Sequence, residues 1–449
     1  MGDVIAKEKI PGRVRALTWM CALLYLTSYL LRNNFAAMLV KICTDMGQPK
    51  TALAVVITAL TVCYGTGQLI NGLVGDKIAP RYMLTCGILV AGMANIAMYF
   101  CTSVPAMAVV WAINGLANSM LWAPLVRLFS TSFTETQYSY GMLRVMFASC
   151  SSKVVLYIIC PALLLLMPWR VVTLSIGIFG LIVGVLFGVI SASLCRSFDA
   201  TAKREDSKTG DPSLAHEPLP KFAWIPVILV VLAILLQGIL REAMATWTPT
   251  YLYEAFQITE EKAIFATAAL AVFDVASFTC FDVLKRKVFH DEVLTSAVLF
   301  VVSALAALAL WLVGLVSPVM ALSLTCLTII SCCMHGINLM LLAHAPRRLV
   351  KSGHVSFFTG FFDAFSYAGA AISAYGFAYT AENYGWNTTA FLWLVTAALG
   401  VLICFVALPM WRRFRRVYAD APAPEATEAP EEPLGTDDMP DEPPADTKN

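Results

Sequence analysis

Two arginines stand in otherwise apolar sequence at matching positions. Arg32 lies in YLLRNNFAAM, about sixteen residues into a stretch long enough to cross a bilayer, and Arg241 in GILREAMATW at a similar depth in another. A charged side chain at that depth costs at least about 2.5 kcal/mol unless it faces protein or water. Both arginines are therefore candidates for function on physical grounds alone. A guanidinium stays protonated and presents a planar fork of donors that fits a carboxylate or a phosphate. Placed on two equivalent helices, the pair would face each other across a midplane cavity and hold a small anion. The alternative is a structural role, each paired with an internal carboxylate.

Other charges stand at similar depth: Lys153, Asp274, Asp363 and Glu242. Lys153 would add a third cation for an anionic substrate. Asp363, Asp274 and Glu242 are candidates for coupling or gating, because a desolvated carboxylate can carry a proton; static pairing with cations is the alternative. Tyr29, Trp122, Asn338 and Tyr367 are candidates for lining the binding site. Tyr25, Tyr64 and Trp247 are aromatic residues of the same kind, though such rings commonly serve packing or the membrane interface. His335 and His344 could titrate near neutral pH or simply be hydrogen-bonded structural residues.

The elements that must position these groups follow from composition. Of 449 residues, 59% are hydrophobic and 14% charged, against about 45–50% and about 25% in soluble domains, which excludes an ordinary soluble fold. Twelve apolar stretches are predicted as spans: 16–40, 53–75, 82–101, 105–128, 141–166, 171–194, 222–250, 262–284, 292–315, 319–343, 354–381 and 388–411. The start is basic and then apolar like a secretory signal, but the apolar stretch is long and has no small-residue cleavage site, so it reads as a retained first helix.

Lysine and arginine fall on one set of loops: Lys77 and Arg81; Arg196 to Lys221; Lys285 to Lys287; Arg347, Arg348 and Lys351; and both termini. With twelve spans all these cations share one side, which the positive-inside rule makes cytoplasmic. The expectation is an integral protein of the plasma (inner) membrane with both termini in the cytoplasm. The longest polar loop, 196–221, divides the spans six and six. The organisation read from this is a first half over 1–195, a linker over 196–221, a second half over 222–417, and an acidic disordered tail over 418–449. Near-equal halves with Arg32 and Arg241 at one depth suggest two parallel repeats. The fold class expected is all-α, with twelve transmembrane helices in two six-helix halves related by a pseudo-two-fold axis.

Several segments resemble a known family. GLVGDKIAPR, Gly72 to Arg81, is similar to the cytoplasmic loop motif of the major facilitator superfamily. YLLRNNFAAM, WAPLVR (Trp122 to Arg127), LREAMATWTPTYL (Leu240 to Leu252) and FTGFFDAFSYAGAAIS (Phe358 to Ser373) resemble its organophosphate:phosphate antiporter family, over about residues 16–411. The resemblance implies the major facilitator fold, exchange of a phosphate ester, and a substrate phosphate bound by Arg32 and Arg241. Four positions depart from the family pattern. Its helix 5 histidine is replaced near Cys150, its helix 2 lysine by Gln68, and Lys153 and Asp363 are additional charges. At the cytoplasmic ends, Asp76, Arg81, Arg127 and Arg144 are expected to form a gating network.

The function expected is secondary active transport of a small organic anion, foremost a phosphate ester, by alternating access around Arg32 and Arg241. A counter-anion or a proton would drive it. The alternatives are a proton-coupled symporter of a carboxylate such as a sugar acid, and a membrane sensor of sugar phosphate. Other classes are disfavoured. A net charge of +1 gives no argument for nucleic acid. There is no GxxxxGK[ST] loop, zinc helix or nucleophile elbow, so no enzyme, metal or cofactor is expected. The thirteen cysteines lie mostly in apolar runs without ligand spacing. Gly180, Gly184 and Gly188 would allow close helix packing, or alternatively a dimer contact; a monomer in the lipid bilayer is expected.

Overall fold

In a computed structural model, residues 10–209, 217–258, 260–316 and 319–420 are described. The predicted tail lies outside them beyond Asp420, as do linker positions 210–216. Among the described residues there are helices and turns but no strand.

The first half contains α1 (Gly12–Ala37), the short α2 (Leu39–Met46), α3 (Lys50–Gly75), α4 (Pro80–Phe100), α5 (Val104–Ser119), α6 (Trp122–Ser132), α7 (Glu135–Leu164) and α8 (Trp169–Thr209). The second contains α9 (Trp224–Phe256), α10 (Glu260–Leu284), α11 (Glu292–Val316), α12 (Met320–Asn338), the single turn α13 (Ala345–Arg347) and α14 (Val355–Phe414). Ten helical runs are long and apolar enough to cross a membrane. α10 overlaps the predicted span 262–284, and α14 breaks between the predicted spans 354–381 and 388–411.

The breaks have local causes. Within α14, Gly385 sits at φ 80° and ψ 171°, a backbone state open essentially to glycine alone, and there the chain turns between its last two spans. The stretch expected as one span over 105–128 is two helices, interrupted at Met120 and Leu121. Pro124 explains this: it cannot donate to the carbonyl of Met120, and its ring crowds that carbonyl. The amides of Met120 and Leu121 instead make tighter bonds to Ala117 and Asn118, each 3.2 Å. At the other extreme, α8 continues to Thr209, well into the polar segment expected as a loop. Residues 196–209 contain no proline or glycine and several good helix formers, so nothing local stops the helix.

Within the first half, α1 packs on α7, α3 on α5, and α4 on α8. Within the second, α9 and α11 pack on α14, and α12 on α10 and α11. The halves meet where α3 and α6 reach α14 and where α7 reaches α10. The α3–α14 contact is close enough to need two glycines. A Cβ on Gly72 would stand 3.3 Å from the Cα of Gly360, and one on Gly360 would strike the carbonyl of Gln68. The row of Gly180, Gly184 and Gly188 on α8 is likewise filled from within, by Leu31, by Ile88 and Leu89, and by Thr85.

Candidate functional site

Arg32 is positioned by a ladder of asparagines. The carbonyl of Leu31 accepts Nδ2 of Asn95 at 2.9 Å and Nδ2 of Asn114 at 3.0 Å. Asn34 donates to Oδ1 of Asn95 at 2.6 Å, and Asn118 donates to Oδ1 of Asn114 at 2.8 Å. All four asparagines are buried. They tie α1 to α4 and α5 at the level of the arginine. Each interhelical hydrogen bond of this kind contributes about 0.6 kcal/mol in membrane proteins, and at most about 1.7 kcal/mol. The signal was in the sequence: polar amides inside apolar runs need partners.

From that platform the guanidinium of Arg32 lies over the ring of Tyr29, its Cζ 3.8 Å from the centroid, and 4.8 Å from that of Tyr64. Tyr29 in turn meets Tyr25 at 5.4 Å, and Tyr25 meets Trp122 at 5.6 Å. Tyr64 on α3 contacts Tyr367 on α14 at 4.9 Å, which carries the aromatic chain into the second half. Arg241 on α9 completes it, 5.8 Å from the Tyr367 centroid. The structure thus joins Arg32, Arg241, Tyr29, Trp122 and Tyr367 in one continuous cluster, with Tyr25 and Tyr64 as its links. Asp363, buried one turn before Tyr367, lies within electrostatic range of Arg241 first and Arg32 second.

Neither guanidinium has a hydrogen bond or an ion pair among the described residues. Both are half-buried. Cation–π contact is worth roughly 0.5–2 kcal/mol, and it uses the face of the fork, leaving the edge donors for a ligand. The neighbouring Glu242 makes no ion pair with Arg241; it accepts the Thr246 hydroxyl at 2.8 Å on its own helix. Asn338 ends α12 and is half-buried. Lys153 belongs to α7, and its side chain lies outside the described residues. Asp274 belongs to a separate group with Ser331 and His335.

The charged residues expected at the gate divide. Asp76, just past α3, accepts the backbone N–H of Ser356 at 2.8 Å and of Phe357 at 3.0 Å. It therefore caps the first turn of α14 from the opposite half, where the helix dipole favours an anion. Burial raises the Asp76 carboxyl above its ordinary range, against those two hydrogen bonds and Arg127. Arg127 donates to the carbonyls of Gly75 and, at 3.0 Å, Ile78, on either side of Asp76. Arg81 instead turns to Tyr82, donating to its hydroxyl at 2.9 Å. Arg144 lies over the ring of Tyr140 and donates to its carbonyl at 2.9 Å. The structure brings Asp76 and Arg127 together and leaves Arg81 and Arg144 out of that contact.

A second cross-half contact escapes a reading of spans and loops. Glu135, first residue of α7, receives three cations from the second half: Lys285 at 3.1 Å, Arg347 at 3.2 Å and Arg348 at 3.4 Å. Lys285 and Glu292 are buried, and Arg348 also meets Glu292 at 2.7 Å. Burial alone would lower the guanidinium of Arg348, but Glu292 and Glu135 hold it above its ordinary value. The Tyr138 hydroxyl adds a hydrogen bond to the carbonyl of Ala343. With the Asp76 cap, these bonds close the cation-rich end of the molecule.

Among the described residues no group of three or more metal-ligating side chains comes together. The two arginines and their tyrosines lie together inside a helical bundle.

Similar proteins agree with this architecture. A bacterial homologue of the iron transporter ferroportin, solved in an outward-facing state, superposes with a TM-score of 0.69 at 13% identity, over 87% of this chain and 99% of that one. The glycerol-3-phosphate transporter of Bacillus subtilis is 24% identical over 87% of this chain and 91% of its own length. The membrane sensor protein UhpC of Escherichia coli is 22% identical over 84% and 88%. A probable hexose phosphate transport protein of Chlamydia muridarum is 26% identical over 113 residues, and there the chain spans only 25% of that relative's length. The Major Facilitator Superfamily pattern matches residues 21–353, about three quarters of the sequence, and the chain belongs to that superfamily of membrane transporters.

Proposed function

We propose that the protein is a secondary transporter of a small organic anion, a phosphate ester foremost, working by alternating access around Arg32 and Arg241. The observation that carries this is the state of the two guanidiniums. They lie on opposite halves, each against a tyrosine ring, and among the described residues neither makes an ion pair with a carboxylate. Two desolvated cations repel each other, and an anion between them would relieve that repulsion and draw the halves together. A phosphate offers three oxygens to two forks, a better match than a lone carboxylate. The glycerol-3-phosphate and hexose phosphate relatives support the same class.

In this reading the cation-rich end is cytoplasmic, as the loop charges require. The Asp76 cap and the Glu135 clamp hold that end shut, and substrate release into the cell needs both to open. The two six-helix halves, joined by the segment around 196–221, are the rocking bodies.

The test is uptake by proteoliposomes of labelled glycerol-3-phosphate and glucose 6-phosphate. Saturable uptake of either, competed by the other, is expected. A protein that carries sugar acids alone would replace this reading with the carboxylate one. The extended likeness to a membrane sensor favours a second reading, in which the same site detects a sugar phosphate. Tight binding without flux would establish it.

A further inference from the structure

Beyond the arginines, a second polar group is buried in the second half. Asp274 lies near the middle of α10 and is 8% exposed. Its Oδ2 accepts the Ser331 hydroxyl of α12 at 3.0 Å. Its Oδ1 has no hydrogen bond, but Nδ1 of His335 stands 3.4 Å away. That same nitrogen lies 3.0 Å from the carbonyl of Ser331, one turn earlier on its helix. Two acceptors around Nδ1 require that Nδ1 carry the hydrogen, which leaves Nε2 as the basic position of the ring. The imidazole side chain keeps 19% of its surface, more than the 11% of the carboxylate, so water reaches the ring more readily. Phe278, one turn from Asp274, packs edge-on against the ring at 5.8 Å and holds it in place.

A carboxylate left unpaired at this depth is costly. Beside a neutral imidazole the group carries one negative charge; with a proton on Nε2 it carries none. The proton comes from water, Nδ1 keeps its hydrogen, and no covalent bond among heavy atoms changes.

We infer that Asp274 and His335 form a proton-binding site, distinct from the arginine pair, that takes up a proton together with the anionic substrate. This rests on the reading of the chain as an anion transporter, and it names the coupling ion.

The position suits coupling. α10 is the helix of the second half that packs on α7 of the first. Gln237, fully buried on α9 one turn before Arg241, donates to the carbonyl of Met334 at 3.0 Å, next to His335, and accepts the Ser366 hydroxyl of α14 at 3.4 Å. One amide therefore ties together the helices that bear His335, Arg241 and Asp363. Other titratable groups stand on the packed elements, Glu254 at the end of α9 and Tyr138 and Tyr140 on α7 among them. Cys332 of α12 lies against Asp274, with Cys333 beside it. Asp282 occupies the far end of α10, Glu292 the start of α11, and Arg241 and Glu242 the middle of α9. α7 brings Glu135, Arg144 and Lys153, the last with its side chain outside the described residues.

The experiment uses sealed proteoliposomes holding a pH-sensitive dye, with glycerol-3-phosphate and glucose 6-phosphate as probes. Wild type should acidify the lumen as ester enters, and a pH gradient should drive accumulation. His335→Gln and Asp274→Asn should keep equilibrium exchange of labelled ester and lose both proton effects. Ser331→Ala, a milder change, should shift the pH dependence of accumulation without abolishing it. Acidification by either of the first two variants as in wild type, or wild-type uptake that moves no proton, overturns the proposal. A second readout needs no substrate. Histidine nitrogen NMR, with His335 assigned by its loss in His335→Gln, should show the ring gaining a proton on acidification, with a response that changes in Asp274→Asn. A His335 signal indifferent to pH, or to Asp274, overturns the proton site. A His335 that titrates as described, in a protein that carries neither ester, instead removes the phosphate-ester reading.

Discussion

Tyr64 and Tyr367 meet across the boundary of the two halves, their ring centroids 4.9 Å apart and their planes at 58°. Each also presents its ring to one arginine of the proposed site, Tyr64 to Arg32 at 4.8 Å and Tyr367 to Arg241 at 5.8 Å. Because one ring belongs to α3 and the other to α14, any rocking of the halves must change this contact. Tyr64→Phe keeps the ring and should transport nearly as wild type. Tyr64→Leu removes the quadrupole, worth roughly 0.5–2 kcal/mol, or about two- to thirtyfold in apparent affinity. Initial rates of uptake against substrate concentration distinguish the two variants.

The arginines themselves are not interchangeable with lysine. An ammonium keeps the charge but loses the planar fork. Arg32→Lys and Arg241→Lys should each lose a charge-assisted hydrogen bond of about 1.5–3 kcal/mol, roughly ten- to a hundredfold in affinity. Uptake by variants shown to reach the membrane checks this, and wild-type uptake by both would remove the arginines from the site.

Glu135 gathers Lys285, Arg347 and Arg348 from the other half. Glu135→Gln leaves Lys285 and Arg348 with Glu292, and leaves Arg347 with its hydrogen bond to the Phe133 carbonyl. Breaking a buried pair by removing one partner costs up to about 3–5 kcal/mol; the Glu135 side chain is 48% exposed, so the loss should fall well below that. The cation-rich end should open more often. Spin labels placed at that end of α7 and α10 should show a longer distance population in Glu135→Gln than in wild type.

The asparagine ladder should matter for both stability and binding. Asn95→Ala removes the partner of Asn34 and one of the two donors on the Leu31 carbonyl. A loss of about 0.6–1.7 kcal/mol is expected, visible as a melting temperature lowered by a few degrees. Anion affinity should fall with it, because the turn that carries Arg32 is no longer held. Asn95→Ala with wild-type stability would show that the ladder bears no load.

Much of this is readable from the residues, and the remainder is unreadable for definite reasons. Arg32, Arg241 and Asp363 announce themselves because an ionised group in an apolar run has a cost that must be met. Spans are readable because their length is set by the bilayer. The interruption at Met120 is contained in Pro124, though a hydropathy profile passes over it. The Glu135 clamp is different. A glutamate at a helix start reads as a favourable helix-dipole residue, and only the folded arrangement shows three cations arriving from residues 285, 347 and 348. Arg81 and Arg144 show the converse error: nearness in sequence to Asp76, or to a helix end, does not say which way a long side chain turns.

If an anion binds between Arg32 and Arg241, thermal unfolding of the purified protein should report it. A ligand that binds only the folded state at a hundred times its Kd stabilises by about 2.7 kcal/mol. Glycerol-3-phosphate or a hexose phosphate should raise the melting temperature of wild type and fail to do so in Arg32→Ala and in Arg241→Ala. Equal stabilisation of wild type and both variants, or stabilisation of wild type by sugar acids alone, would contradict it.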